Sequence, residues 1–161
     1  MEENKKYFAV AITRTCGSGG GSYIGKKLAA DYGIDVYDRK LLRLASEDSG
    51  INETIFANAD ENTKNSLLYK VSKNVYNGEL IPPESNDFTS NDNLFNYQAK
   101  ILRELAEKES YVVIGRCADY ILKDNPNVFK IFIHASYRDC IKHEMESLCI
   151  SEKEAIKQIK N

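Results

Sequence analysis

Apolar positions recur along this chain in two rhythms, short continuous runs and helical spacings, and they alternate from beginning to end. Tyr7 to Thr13 (YFAVAIT) is a nearly continuous apolar run rich in β-formers, the pattern of a parallel strand buried on both faces. A glycine-rich stretch, TRTCGSGGGSYIGKK, follows it. Beyond the glycines Tyr23, Ile24, Lys27, Leu28 and Asp31 keep helical spacing, and Gly33 stands where a C-terminal cap belongs. Ile34 to Tyr37 predicts a second strand, and DRKLLRLASED a second helix with Asp38 available as its N-cap.

From Gly50 to about Asn91 the pattern weakens. Two helices are expected, Glu53 to Ala59 and Lys64 to Tyr76, ending in the polar NGELIPPESNDFTSNDN, which reads as a loosely ordered loop. Regular patterning resumes with a helix from Leu94 to Lys108, a strand from Tyr111 to Ile114 (YVVI), a turn with a short helix, and a strand from Val128 to His134 (VFKIFIH). Helices Arg138 to Leu148 and Ser151 to Lys160 complete the chain, and Ser151 with Glu154 matches a capping box.

Strands separated by helices, with a helical excursion after the second strand, predict a doubly wound α/β fold. Such sheets place ligands beyond the carboxyl ends of their strands, where the glycine stretch, Asp38 and Gly115-Arg116 would meet. A length of 161 residues, 42% hydrophobic and without tandem repeats, fits a single domain over 1–161, with the excursion spanning 38–95.

Charge narrows the partners. A net charge of −2 and a pI near 5.8 leave no broad basic surface, so no nucleic-acid partner is expected and any anionic ligand must be met by locally placed cations. Cys16, Cys117, Cys140 and Cys149 form no CxxC pair and have no histidine at metal-ligand spacing, which argues for reduced thiols rather than a zinc site or disulfides. The leading MEENKKYFAVAIT is too short an apolar run for a signal or a membrane span, and no other run reaches about 18 residues. A cytoplasmic protein with no membrane partner is expected.

A loop between a strand and a helix N-terminus presents unpaired backbone N–H groups and the positive end of the helix dipole, which together bind phosphate. Glycines allow close approach of the backbone; a ligand-free glycine turn is the alternative reading. The pieces AITRTCGSGGGSYIGKKLA, IDVYDRKLL, VVIGRCADYIL and VFKIFIHAS, in this order, resemble the cytidylate kinase-like family of P-loop nucleotide kinases. The likeness runs from the first strand almost to the chain's end. IGRCADYIL placed one strand before KIFIHAS is much more specific than the glycines.

The resemblance implies a P-loop NTPase-type, three-layer parallel sheet that carries the γ-phosphoryl of ATP to a nucleoside monophosphate, CMP-like, with Mg²⁺ and with nucleotides as partners. It assigns Gly17, Ser18, Gly19, Gly20, Gly21 and Ser22 to the phosphates, and the Ser22 hydroxyl to Mg²⁺. Gly20 then occupies the place of the usual lysine. The substitute cation expected from the sequence is Arg14, since Lys26 and Lys27 lie a turn further along; a solvated surface arginine is its alternative.

By the same resemblance Asp38 and Arg116 belong to the monophosphate site, Arg116 gripping the acceptor phosphate with its planar fork of donors unless it is used up in a salt bridge to Asp119 or Asp38. Cys117 stands where the base-contacting aspartate would be, which leaves the acceptor base open. One of Arg39 and Arg43 is expected to face the acceptor, and Gln98 and Arg103 either reach the same place or serve the surface. His134 reads as a strand-end polar residue and Cys16 as a small loop residue.

The sequence stops at Asn161, where the family continues into an arginine-bearing lid, a fifth strand and a final helix. The expectation is therefore a fragment or a degenerate member. Two functions stand beside the nucleotide kinase: a non-catalytic nucleotide-binding module, and a kinase of another small molecule.

Overall fold

The computed structural model describes residues 6–15, 20–61 and 79–160. The helix expected over Lys64–Tyr76 and most of the glycine loop lie outside the described residues. Strand β1 (Ala9–Arg14) is followed by α1 (Gly20–Tyr32), β2 (Asp35–Tyr37), α2 (Lys40–Ser49) and α3 (Glu53–Glu61). Then come α4 (Asn91–Lys108), β3 (Tyr111–Ile114), α5 (Ala118–Ile121), β4 (Val128–Ile133), α6 (Tyr137–Leu148) and α7 (Glu152–Lys160).

The four strands form one all-parallel sheet in the order β2-β3-β1-β4. Strand β1 pairs with β3 from Ala9↔Tyr111 to Ile12↔Ile114 and with β4 from Ala9↔Val128 to Arg14↔Ile133. Helices cover both faces, which is why the inner strands read as unbroken apolar runs. Ala9, Ala11, Tyr111 and Val113 face α2, α4 and α5, meeting Leu41, Ala99 and Leu102. Val10, Ile12, Val112 and Ile114 face Ala29 of α1. Each fully buried Leu, Ile or Val contributes about 1.5–3 kcal/mol relative to exposure. The result is the three-layer α/β architecture that the alternation predicts, consistent with a P-loop NTPase-like fold.

Helix α1 lies unusually close to the sheet because of Gly25. A Cβ there would stand 2.9 Å from Ile114 Cδ1 and 3.3 Å from Ile12 Cδ1, so the glycine lets the helix backbone rest on the strands. Its poor helix propensity, about 1 kcal/mol relative to alanine, is outweighed by that packing. The helix stops at Gly33, which takes a left-handed φ of 63° while the Ile34 N–H returns to the Ala29 carbonyl at 3.0 Å.

The excursion has a small core of its own, Leu42, Ala45, Ile51, Phe56, Leu94 and Tyr97, with Leu80 and Phe88 packed against it. Here the structure departs from the sequence reading. Residues 79–90, expected to be loosely ordered, pass from an irregular stretch into successive turns over 83–90 and are bound to α4 by the fully buried Asn93. Asn93 Oδ1 accepts from the Ile81 N–H at 2.8 Å, and its Nδ2 donates to the Ile81 carbonyl at 3.2 Å and the Phe88 carbonyl at 2.7 Å. A loop with few apolar anchors is thus held by a side-chain amide that satisfies its backbone, a device that composition does not reveal.

The expected N-cap of α2 is also corrected. Arg39, in helical conformation, holds the cap position without a side-chain cap bond, and Asp38 contributes only its carbonyl, which accepts from the Leu41 N–H at 3.3 Å. The Asp38 carboxylate is drawn elsewhere, to Arg116. The capping box at Ser151 and Glu154 forms as expected, the Glu154 carboxylate accepting from the Ser151 N–H at 2.9 Å. That hydrogen bonding holds the Glu154 carboxyl below its ordinary range.

Candidate functional site

All four strands run in parallel, so their carboxyl ends share one edge of the sheet, and the first turn of α1 opens at the same edge. Arg14 ends β1, Asp38 follows β2, Gly115 and Arg116 follow β3, and His134 follows β4. The edge is stiffened where β1 leaves the sheet. The Thr15 N–H donates to the Ile133 carbonyl at 3.1 Å, and the Gly115 N–H donates to the Ile12 carbonyl at 2.8 Å. Thr15 Oγ1 is buried with no hydrogen-bond partner among the described residues.

Two elements remote in sequence meet at this edge. Arg116 Nη2 lies 3.7 Å from Asp38 Oδ1, with the arginine side chain 8% exposed and the aspartate 44%. Of the two alternatives to acceptor binding weighed for Arg116, the structure contains the ion pair with Asp38. The backbone that carries Arg116 is strained: Gly115, Arg116 and Cys117 take consecutive positive φ values of 71°, 59° and 52°. For the two non-glycine residues a left-handed conformation costs roughly 1–2 kcal/mol each. Such strain persists only where surrounding structure over-determines it, and it clusters at functional sites. The Cys117 side chain, partly buried, packs against the main core.

Asp38 is held in place from beneath. The Tyr37 hydroxyl donates to Glu109 Oε1, and its ring stands edge-on to Tyr111 at 5.4 Å. Burial, reinforced by Glu109, pushes the Tyr37 phenol well above its ordinary range. Tyr111, whose hydroxyl donates to the Leu102 carbonyl at 2.8 Å, is pushed up by burial in the same direction. These contacts join β2, β3 and the end of α4 into one platform.

Of the residues assigned to phosphates, Gly20, Gly21 and Ser22 form the first turn of α1, while Gly17, Ser18 and Gly19 lie outside the described residues. Arg14 is exposed at the end of β1, and its side chain crosses that first turn over Gly21. Ser22 is half-buried there. Arg39 is exposed at the start of α2, and Arg43, also exposed, pairs with Glu47 at 3.6 Å. Gln98 is half-buried and Arg103 exposed on α4. The His134 ring stacks beside Phe132 at 6.3 Å.

No group of three His, Cys, Asp or Glu side chains able to hold a metal occurs among the described residues. Sequence reasoning missed the close-packing role of Gly25, the Asn93 clamp and the strained turn at Arg116. Only Gly25 left a signal, a glycine at an inward helical position; nothing in the residue types Arg-Cys announces a left-handed backbone.

The model of the cytidylate kinase-like family matches residues 9–161. Among solved structures, an uncharacterized protein from Eubacterium ventriosum ATCC 27560 has the same fold, with a TM-score of 0.62 and 29% sequence identity. The alignment covers 96% of this chain and 70% of that one. No curated protein matches the sequence. Among the described residues no helix is long and apolar enough to cross a membrane.

Proposed function

Because the chain belongs to the cytidylate kinase-like family, we propose that it is a nucleotide kinase, transferring the γ-phosphoryl group of ATP to a nucleoside monophosphate. The observation that carries this reading is the pairing of Arg116 with Asp38 at the strand-end edge where α1 opens. A cation on a strained turn, kept ready by a carboxylate that a more highly charged anion can replace, suits an acceptor phosphate.

In the proposed reaction a phosphate oxygen of the acceptor attacks the γ-phosphorus in line. The bond from the γ-phosphorus to its bridging oxygen breaks, and ADP leaves with that oxygen. No covalent enzyme intermediate forms, so the protein contributes position and charge rather than a nucleophile. The first turn of α1, Gly20 to Ser22, directs N–H groups toward the triphosphate, and Arg116 orients the acceptor. Mg²⁺, when bound with the nucleotide, would share the Ser22 hydroxyl and neutralise phosphate charge. A cysteine at position 117, where the family carries a base-contacting aspartate, leaves the acceptor base open.

Calorimetric titration with MgATP, CMP and other monophosphates, followed by turnover measurements, tests the reading. Saturable binding of MgATP and formation of ADP with one acceptor is the expected result. Binding without turnover identifies a non-catalytic nucleotide module, and absence of nucleotide binding overturns the proposal.

A further inference from the structure

Resting on that nucleotide reading, the inference concerns the charge that Gly20 cannot supply. The Arg14 side chain runs lengthwise over Gly21. A Cβ built on Gly21 would meet Arg14 Cβ at 3.7 Å, Cδ at 2.8 Å and Nη1 at 3.6 Å. Gly21 is buried, and the Arg14 side chain supplies the nearest atoms over its Cα. Gly20 is different: among the described residues a Cβ there would meet Ile24 Cδ1 at 3.6 Å and Ile133 Cγ2 at 3.8 Å, ordinary contact distances. The two adjacent glycines are therefore not equivalent. Position 20 has room for a side chain that it lacks, and position 21 is glycine where an arginine must pass.

We propose that Arg14 supplies the phosphate-binding cation at the N-terminal turn of α1, and that Gly21 is a positioning residue whose missing Cβ lets Arg14 lie there. Arg14 makes no ion pair with a described residue, so its charge is uncommitted. Its backbone is fixed by pairing opposite Ile133 in β4, and the next residue's N–H is bonded to the Ile133 carbonyl. A rigid strand end, a stem constrained by the helix surface and a free guanidinium give a pre-aimed donor fork, the arrangement in which arginine loses least entropy on gripping an anion. A methyl group at 21 would move the far end of a flexible side chain and leave core packing intact, so it removes the cation's position without removing the cation.

The test titrates MgATP into the wild-type chain and into Arg14→Ala, Gly21→Ala, the double variant and Lys26→Ala, with thermal melts as the folding control. Loss of one charge-assisted contact weakens binding by about tenfold to a hundredfold, expected for Arg14→Ala and in similar measure for Gly21→Ala. Because both act through the same guanidinium, the double variant should be no weaker than the worse single one. Lys26→Ala, exposed on α1, should change affinity by less than about threefold. Wild-type affinity in Arg14→Ala overturns the proposal while leaving the nucleotide reading standing; losses that multiply in the double variant overturn the role of Gly21. If wild-type protein binds no nucleotide, it is the nucleotide reading that fails. Should Arg14→Ala melt early, Arg14→Gln keeps the stem, removes the charge and must give the same loss.

Discussion

Arg116 Nη2 stands 3.7 Å from Asp38 Oδ1, the guanidinium almost enclosed and the carboxylate half open. The pair joins the turn after β3 to the turn after β2, and in the proposed reading an incoming acceptor phosphate would displace the more exposed Asp38 from the arginine. Arg116→Met should raise the acceptor KM at least about tenfold, the loss of a charged hydrogen bond, with little change in MgATP affinity. Steady-state kinetics with the acceptor varied at saturating MgATP checks this. An equal loss in ATP affinity would place Arg116 on the donor instead.

Asn93 is the most exposed point of vulnerability in stability, although it is wholly buried. Replacing it with alanine leaves the Ile81 N–H, the Ile81 carbonyl and the Phe88 carbonyl without their partner. An unsatisfied buried group costs about 1–3 kcal/mol, and partial hydration of a loop reduces the sum, so Asn93→Ala should destabilise by about 2–4 kcal/mol. Urea unfolding measures it. Limited proteolysis of the variant should cut first within 79–90, since that segment loses the three Asn93 hydrogen bonds that bind it to α4.

Gly25→Ala sets two effects against each other. Alanine gains about 1 kcal/mol of helix propensity, whereas a Cβ 2.9 Å from Ile114 Cδ1 and 3.2 Å from its Cγ1 must push the helix off the sheet. Overpacking in a tight core costs about 1–3 kcal/mol, so the expected net effect is a lower melting temperature. A rise would mean that Ile114 yields into space beside it.

Tyr37 and Tyr111 determine the alkaline limit. Their phenols are held above the ordinary value near 10, so in the folded state they keep protons that an unfolded chain releases. The stability they contribute is whole below about pH 10 and is lost as the pH climbs beyond it. Wild-type urea midpoints should hold up to about pH 10 and fall above it, and Tyr37→Phe, which has no phenol to ionise, should fall less over the same range. An equal fall in both would assign the alkaline loss to other groups.

How far the molecule was legible in its sequence follows from the range of the forces involved. The strands YVVI and VFKIFIH and the glycine cap at Gly33 were readable because apolar runs and backbone preferences are local properties. The gathering of the candidate residues at the strand ends was readable as well, since parallel strands joined by helices bring their carboxyl ends to one edge. Boundaries shifted by a residue or two, as when β1 ran on to Arg14. The assignment of Asp38 to a helix cap failed because a capping residue is judged by its sequence neighbours, and the carboxylate is claimed by an arginine from another segment.

Sequence alone thus determined the order and type of the described elements, the parallel α/β architecture and the edge of the sheet at which the candidate residues gather. Tertiary structure alone decided which charges are paired and which are free: Arg116 with Asp38, Arg43 with Glu47, and Arg14 over Gly21. It likewise decided that a polar, proline-bearing loop is clamped and that Gly20 and Gly21 have different surroundings. Periodicity records how each segment divides its surface between core and solvent. Pairing depends on distances across the fold, and these exist only once the sheet has brought separate turns within a few ångströms of one another.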